Sequence, residues 1–137
     1  MMKFTNLIAL IMLLGTGLSC SANATKEENK SEEIRQAETV EVYYFHNTRR
    51  CATCKAVENV SKNAVEAMEN ENVTFTGLNL EKPEGEKKAK ELGVSGQALL
   101  IVGGDKTINI TQKGYLHARS NPEKLKQIVR EKVNSLL

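Results

Sequence analysis

The chain has 137 residues, a length that suits a single domain. Charged residues make up 26% and hydrophobic residues 40%, a balance typical of a globular protein rather than a disordered one. The formal net charge of only +2 argues against a broad basic face that binds nucleic acid. The chain has three cysteines, Cys20, Cys51 and Cys54. An odd number cannot all pair with one another, so the role of each is inferred from its position.

The first two dozen residues have the features of an export signal. Lys3 precedes an apolar run over residues 7–14, which is too short to span a hydrocarbon core of ~30 Å. A basic start, a short apolar stretch and small residues after it are typical of a secretory signal peptide. Cleavage after the A-x-A motif that ends at Ala24 predicts a signal peptide over 1–24 and an exported, periplasmic, soluble protein.

A lipoprotein signal over 1–19 is the alternative interpretation of the same residues. Cys20 would then be the lipidated first residue and would tether the protein to the membrane. In either case the polar residues 25–38 predict a linker. Both interpretations remove Cys20 from the redox count, so Cys51 and Cys54 remain as an even pair in a compartment where disulfides persist.

The spacing of apolar residues in the folded part, 39–137, predicts seven elements in the order β-α-β-α-β-β-α. The predicted strands are 40–45, 73–80, 98–102 and 107–111, the predicted helices run from 51 to about 70, from 83 to about 92 and from 122 onward, and the stretch before the last helix is a loop. The first strand–helix–strand unit makes a parallel pair, and the terminal hairpin adds antiparallel strands. We therefore expect an α/β fold with a central mixed four-stranded sheet flanked by helices.

Cys51 and Cys54 form a C-x-x-C motif that follows the first predicted strand and opens the first predicted helix. Unpaired N–H groups and the positive end of the helix dipole stabilise an anion at a helix N-terminus. A thiolate placed there has a lowered pKa and is the nucleophile of disulfide exchange. Arg49 and Arg50 add positive charge directly before Cys51. We expect Cys51 to attack a substrate disulfide and Cys54 to resolve the mixed disulfide.

Two other interpretations of the motif stay open. A C-x-x-C pair also occurs as an inert structural disulfide or as half of a zinc site, although structural zinc sites have four ligands and this chain has no second pair. His46, five residues before Cys51, makes with Cys51 and Cys54 an N/S₂ ligand set of the kind that binds copper(I) or zinc. The same imidazole can instead tune the thiols or bond to the loop backbone.

The element order, with C-x-x-C between the first strand and the first helix, resembles the thioredoxin-like superfamily over residues 39–137. Lys55 after Cys54 is similar to the C-x-x-C-K pattern of thioredoxins, and GVSGQALLIVGGDK resembles their strand before the last hairpin. The block YYFHNTRRCATCKAVE looks closer to a group of small bacterial thioredoxin-like proteins. The resemblance implies a thioredoxin-like fold in which Cys51 and Cys54 are redox-active and Lys55 lies beside them.

The sequence departs from thioredoxins at positions beside the cysteines. Ala98 stands where thioredoxins carry a cis-proline, and we expect a trans peptide bond there because a cis bond before a non-proline costs ~2.5–4 kcal/mol. Gln97, directly before it, is expected to flank the cysteines and contact substrate. Arg50 takes the place of a Trp. Glu58, one turn after Cys54, is expected on a solvated helix face.

These features predict an exported thiol–disulfide oxidoreductase that exchanges disulfides with protein cysteines. Its expected partners are protein thiols or disulfides and a second redox protein that recharges the pair, with no cofactor and no nucleic acid. The alternatives are copper or zinc binding and delivery through His46, Cys51 and Cys54, and a binding module that uses the fold without redox chemistry.

Overall fold

The computed structural model describes residues 36–137. The predicted signal peptide, Cys20 and residues 25–35 of the predicted linker lie outside the described residues, so these predictions stay predictions. Within the described part, no helix combines the length and the apolar character needed to cross a membrane.

Residues 36–137 form four strands and four helices. In chain order they are β1 (Val40–His46), α1 (Ala52–Glu66), β2 (Val73–Asn79), α2 (Pro83–Glu91), β3 (Ala98–Gly103), β4 (Lys106–Asn109), α3 (Thr111–His117) and α4 (Pro122–Asn134). The predicted order of strands and helices is confirmed, and Asn121 caps α4 as its type favours, accepting a hydrogen bond from the Lys124 N–H. The prediction of a loop before the last helix is wrong, because α3 occupies it.

The sheet has the strand order β2-β1-β3-β4. β1 pairs in parallel with β2, from Val40 opposite Val73 to His46 opposite Asn79, and α1 makes the crossover between them. β3 pairs antiparallel with both β1 and β4, and the predicted hairpin turn joins it to β4. The predicted mixed four-stranded sheet flanked by helices is therefore confirmed.

Side chains along β1 and β3 alternate between the two faces of the sheet, and each face has its own apolar cluster. The cluster under α1 and α4 includes Val42, Tyr44, Val57, Leu99, Ile101, Leu125 and Val129. The cluster under α2 includes Tyr43, Phe45, Leu78, Ala89 and Leu100. Because both central strands are covered on both sides, β3 is a continuous apolar run, and β1 is buried without interruption from Val42 onward, after the exposed Glu41.

Helix α3 depends on a glycine for its place against the sheet. A Cβ added to Gly114 would lie 3.2 Å from Leu99 Cδ2 and 3.3 Å from Val57 Cγ1, which is tighter than ordinary packing. The missing side chain lets α3 approach both α1 and β3. Glycine lowers intrinsic helix propensity, so tertiary packing rather than local preference stabilises this helix.

Three chain segments meet at one edge of the sheet. β1 ends there at His46, α1 begins there at Ala52, and β3, which runs antiparallel to β1, starts there with Ala98 opposite Phe45. The turn between β3 and β4 lies at the opposite edge, since Gly103 is paired with Val40. The fold thus gathers the C-x-x-C motif and the segment around Gln97 at the same edge.

Candidate active site

The two cysteines form a disulfide whose members differ sharply in exposure. Cys51 is the N-cap of α1, with an extended backbone, and its sulfur accepts a hydrogen bond of 3.1 Å from the Cys54 N–H. The Cα atoms of the pair are 5.1 Å apart. Cys51 is exposed, whereas only 5% of the surface of Cys54 is exposed. An incoming sulfur can therefore reach Cys51, whereas the buried Cys54 is accessible only to the sulfur of Cys51 beside it.

The start of α1 favours a negative charge on the Cys51 sulfur. The first turn of the helix contains no acidic residue, and the N–H of Cys54 already points at the sulfur. Together with the dipole of a helix of 15 residues, this donor stabilises a thiolate more than a thiol. The roles of Cys51 as nucleophile and Cys54 as resolving cysteine stay predictions.

Arg50 and Glu58 form an ion pair beside the disulfide. The guanidinium Nη1 donates to the carboxylate Oε2, and the two side chains are only 26% and 23% exposed. A Cβ added to Gly77 on β2 would lie 2.7 Å from Glu58 Oε1, so the carboxylate occupies the space that this glycine leaves open. The expectation that Glu58 lies on a solvated helix face is wrong. Arg50 is placed beside Cys51 as predicted, but in the disulfide form its charge is paired with Glu58.

His46 is turned toward the loop backbone. It is 9% exposed at the end of β1, and its Nδ1 lies 3.0 Å from the Asn47 carbonyl oxygen, which accepts a hydrogen bond from the protonated ring nitrogen. Among residues 36–137, no three His, Cys, Asp or Glu side chains are grouped so that they hold a metal ion. His46, Cys51 and Cys54 are therefore not brought together as ligands in the disulfide form.

The loop before the motif is fixed by residues of the β2–α2 connection. The Thr48 N–H donates to Glu81 Oε1 over 3.1 Å, and Asn79 Nδ2 donates to the Thr48 hydroxyl over 3.0 Å. The hydrogen bonds from Thr48 hold the pKa of the Glu81 carboxyl below its usual range. Sequence reasoning missed these contacts, although an Asn whose Oδ1 accepts from the N–H two residues later, here Glu81, is a common turn device.

Gln97 belongs to a chain of polar groups that runs into the core. Its Oε1 accepts a hydrogen bond from the Tyr115 hydroxyl, which lies 3.4 Å from the hydroxyl of Tyr44. Burial, and after it the hydrogen bond with Tyr115, raises the pKa of Tyr44 well above its ordinary value. Gln97 is half-buried and its side-chain carbonyl accepts from Tyr115, while its predicted contact with substrate stays a prediction. Ala98 is buried and follows a trans peptide bond, as expected.

Arg49 and Lys55 are exposed on either side of Cys51. Lys55 lies one helical turn after it, where the Lys55 N–H donates to the Cys51 carbonyl over 3.1 Å. Neither side chain forms an ion pair with a carboxylate among residues 36–137. Within residues 36–137, both side chains are therefore exposed beside Cys51 without a paired carboxylate, and their predicted effect on the thiolate stays a prediction.

The sequence matches no family model and no curated protein. Among solved structures, it is similar to oxidised mitochondrial thioredoxin 3 from Saccharomyces cerevisiae (22% identity, TM-score 0.47, 72% of this chain and 82% of that one). It is also similar to Fasciola hepatica thioredoxin (16%, TM-score 0.48, 74% and 84%). A third similar structure is that of a malarial protein (14%, TM-score 0.47, 69% and 96%). All three TM-scores are below 0.5, so the fold is assigned from the chain's own geometry.

The described part of the chain has a thioredoxin-like α/β fold. That assignment rests on four features of the chain: its strand order, the parallel β1–β2 pair, the antiparallel β3–β4 hairpin and the C-x-x-C pair at the start of α1. The predicted resemblance to this superfamily is therefore confirmed at the level of the fold.

Proposed function

We propose that the protein is a thiol–disulfide oxidoreductase that exchanges disulfides with the cysteines of other proteins. The observation that carries the proposal is an exposed Cys51 at a helix N-terminus, joined in a disulfide to a buried Cys54 three residues later. A structural disulfide gains from burying both sulfurs, whereas an exchange reaction needs one accessible sulfur and one shielded one. Proteins with cysteines to exchange, and a second redox protein that restores the pair, are the proposed partners.

In the reducing direction, the reaction begins with both cysteines as thiols. The Cys51 thiolate attacks one sulfur of the substrate disulfide, a bond forms between them, and the second substrate sulfur leaves as a thiolate that takes up a proton. Cys54 then loses its proton and attacks the Cys51 sulfur. The mixed disulfide breaks, the first substrate sulfur leaves and is protonated, and two electrons have passed to the substrate. The same steps in reverse oxidise a dithiol.

Substitution of each cysteine separates these roles. We expect Cys51→Ser to abolish reduction of insulin disulfides by the protein in the presence of dithiothreitol. We expect Cys54→Ser, once reduced and freed of dithiothreitol, to retain the attack but to accumulate a mixed disulfide, because the resolving sulfur is missing. Turbidity of the released insulin chains and intact-mass spectrometry measure the two outcomes, with circular dichroism to verify folding. Equal insulin reduction by wild type and a folded Cys51→Ser would contradict the proposed function.

We also propose that the exchange takes place outside the cytoplasm, because the basic start and short apolar stretch before residue 20 have the pattern of an export signal. Mass spectrometry of the protein purified from a bacterial host with both secretory and lipoprotein-processing machinery tests this. A mature N-terminus at Thr25 would indicate soluble export, and an acylated Cys20 would indicate a lipid anchor. An intact Met1 on the full population would contradict export.

A further inference from the structure

The surface around the exposed nucleophile is dominated by positive charge. Arg49 and Lys55 are exposed on the two sides of Cys51, and the first turn of α1 has no acidic residue. A partner that presents a sulfur to Cys51 must bring its neighbouring side chains close to these two cations.

Two carboxylates lie near the motif, and each has a partner of its own. Glu58 is paired with Arg50, and its side chain extends over Gly77 rather than toward solvent. Glu81 accepts a hydrogen bond from the loop at Thr48. The positive charge of its neighbour Lys82 also lowers the Glu81 pKa.

The segment around Gln97, at the same edge of the sheet, adds no countercharge. Residues 93–98 carry no charged side chain, and the carbonyl of Gln97 is occupied by Tyr115. The charged side chains of the motif and of the adjoining Glu81–Lys82 turn are therefore four cations (Arg49, Arg50, Lys55 and Lys82) and two carboxylates (Glu58 and Glu81). A net positive charge remains, and Arg49 and Lys55 are the exposed cations on the two sides of Cys51.

We propose that Arg49 and Lys55 select protein partners whose reactive cysteines are flanked by acidic side chains. This inference rests on the proposed function and names the class of substrate for that site. Complementary surface charge raises the rate of encounter, by ten- to a thousandfold in strongly steered pairs, and places like-charged partners at a disadvantage. Two cations favour a modest value within this range.

Three disulfide peptides of equal length test the proposal, with the disulfide flanked by two Asp, two Asn or two Lys residues. The measured quantity is the second-order rate constant for reaction with the reduced protein, divided by the rate constant of the same peptide with dithiothreitol. The division removes the intrinsic reactivity of each peptide. We expect the normalised rate to fall from the Asp to the Asn to the Lys peptide, by about tenfold in all at low salt. At ~1 M salt, where charges are screened beyond ~3 Å, the differences should largely vanish.

Charge reversal then assigns the preference to the two residues. Arg49→Glu/Lys55→Glu should invert the order of the peptides, and the ratio of Asp to Lys peptide within one variant is insensitive to any change in the reactivity of Cys51. Lys106→Glu, which makes half of that charge change, is the control, because Lys106 is exposed at the opposite edge of the sheet and should leave the ratio unchanged.

The possible failures are distinguishable. Equal normalised rates for the three peptides, or a preference for the Lys peptide, would overturn the inference while leaving the proposed function intact. A change of ratio in Lys106→Glu as large as in the double variant would overturn the assignment to Arg49 and Lys55. Absence of exchange with all three peptides would contradict the proposed function and this inference with it.

Discussion

Cys51 and Cys54 differ in their environment because they occupy two different positions at the start of the same helix. Cys51 is the N-cap, outside the helix proper, where its sulfur is exposed and accepts the N–H of Cys54. Cys54 is already in the first turn and faces the sheet, so it is buried. A spacing of three residues is what places one sulfur in solvent and the other beneath it while keeping the Cα atoms within disulfide reach.

The ion pair between Arg50 and Glu58 decides how much of the Arg50 charge reaches Cys51. In the disulfide form the guanidinium is bound to the carboxylate. When the disulfide is reduced, the Cys51 thiolate becomes a second anion near the same cation. Glu58 therefore competes with the thiolate and weakens its stabilisation, and this sets the direction in which a substitution should act.

We expect Glu58→Gln to lower the pKa of the Cys51 thiol in the reduced protein, by about half a pKa unit, equivalent to about 0.7 kcal/mol. The amide removes a negative charge and releases Arg50 for the thiolate, so both effects act in the same direction. The reduction potential should become less negative by about 15 mV, since ~30 mV corresponds to ~1.4 kcal/mol. Thiolate absorbance near 240 nm and equilibration with glutathione measure the two quantities.

Glu66→Gln is the control for that change. Glu66 lies on the same helix and pairs with Lys62, but both side chains are more than half exposed and they are far along α1 from the cysteines. This variant should leave the pKa of Cys51 and the reduction potential at their wild-type values. A higher thiol pKa in Glu58→Gln would show that Glu58 orients Arg50 toward Cys51 rather than competing with the thiolate.

At the scale of secondary-structure elements, the strands and the three longer helices could be predicted because each has a strong local signal. The β-branched and aromatic run of β1, the apolar run of β3, and prolines at the first turns of α2 and α4 all mark their elements. The sequence also placed the cysteines at the start of α1, which follows from strand-then-helix order alone. The active-site edge was therefore predictable to within a residue or two.

Helix α3 and its contribution to the site could not be predicted in this way. It has seven residues and a central Gly114, and its stability comes from contact with Leu99 and Val57, which are distant in sequence. The hydrogen bond from Tyr115 to Gln97 depends on that packing. The position of Glu58 on α1 likewise depends on Gly77 of β2, because its carboxylate occupies the space that this glycine leaves open. Such contacts are set by tertiary geometry, for which a local pattern carries no signal.

At the scale of the whole molecule, the two faces of the sheet differ in the apolar clusters and polar groups that they carry. The face under α1 and α4 holds the larger apolar cluster and carries the polar chain from Gln97 to Tyr44. The face under α2 has a smaller cluster, and its Tyr43 ring lies beneath the Lys88 ammonium group, 5.6 Å from the ring centroid. Tyr43 lies in the middle of β1, opposite Thr76 and Leu100 and three residues before the end of the strand at His46, so it can be altered to examine stability separately from redox chemistry.

Tyr43 makes the stability of the fold depend on alkaline pH. Burial, and after it a hydrogen bond with Glu41, raises the pKa of Tyr43 from 10.0 to about 12, although the charge of Lys88 opposes the shift. The unfolded chain releases this proton near pH 10, whereas the folded protein keeps it until about pH 12. Between these values the unfolded state binds fewer protons, so the free energy of unfolding falls as the pH rises.

We therefore expect Tyr43→Phe to lose less stability than wild type when the pH is raised through this window. Phenylalanine keeps the ring in the cluster under α2 but has no proton to release, so its contribution to unfolding does not change with pH. Urea unfolding followed by circular dichroism at about pH 9 and about pH 11.5 measures the difference, which should be on the order of 1–2 kcal/mol. Titrating groups that do not interact with Tyr43 are common to both proteins and cancel in the comparison, whereas the interaction of Lys88 with Tyr43 is part of the measured difference. Equal losses in the two proteins would show that Tyr43 ionises in the folded state as readily as in the unfolded chain, and that its burial does not protect the proton.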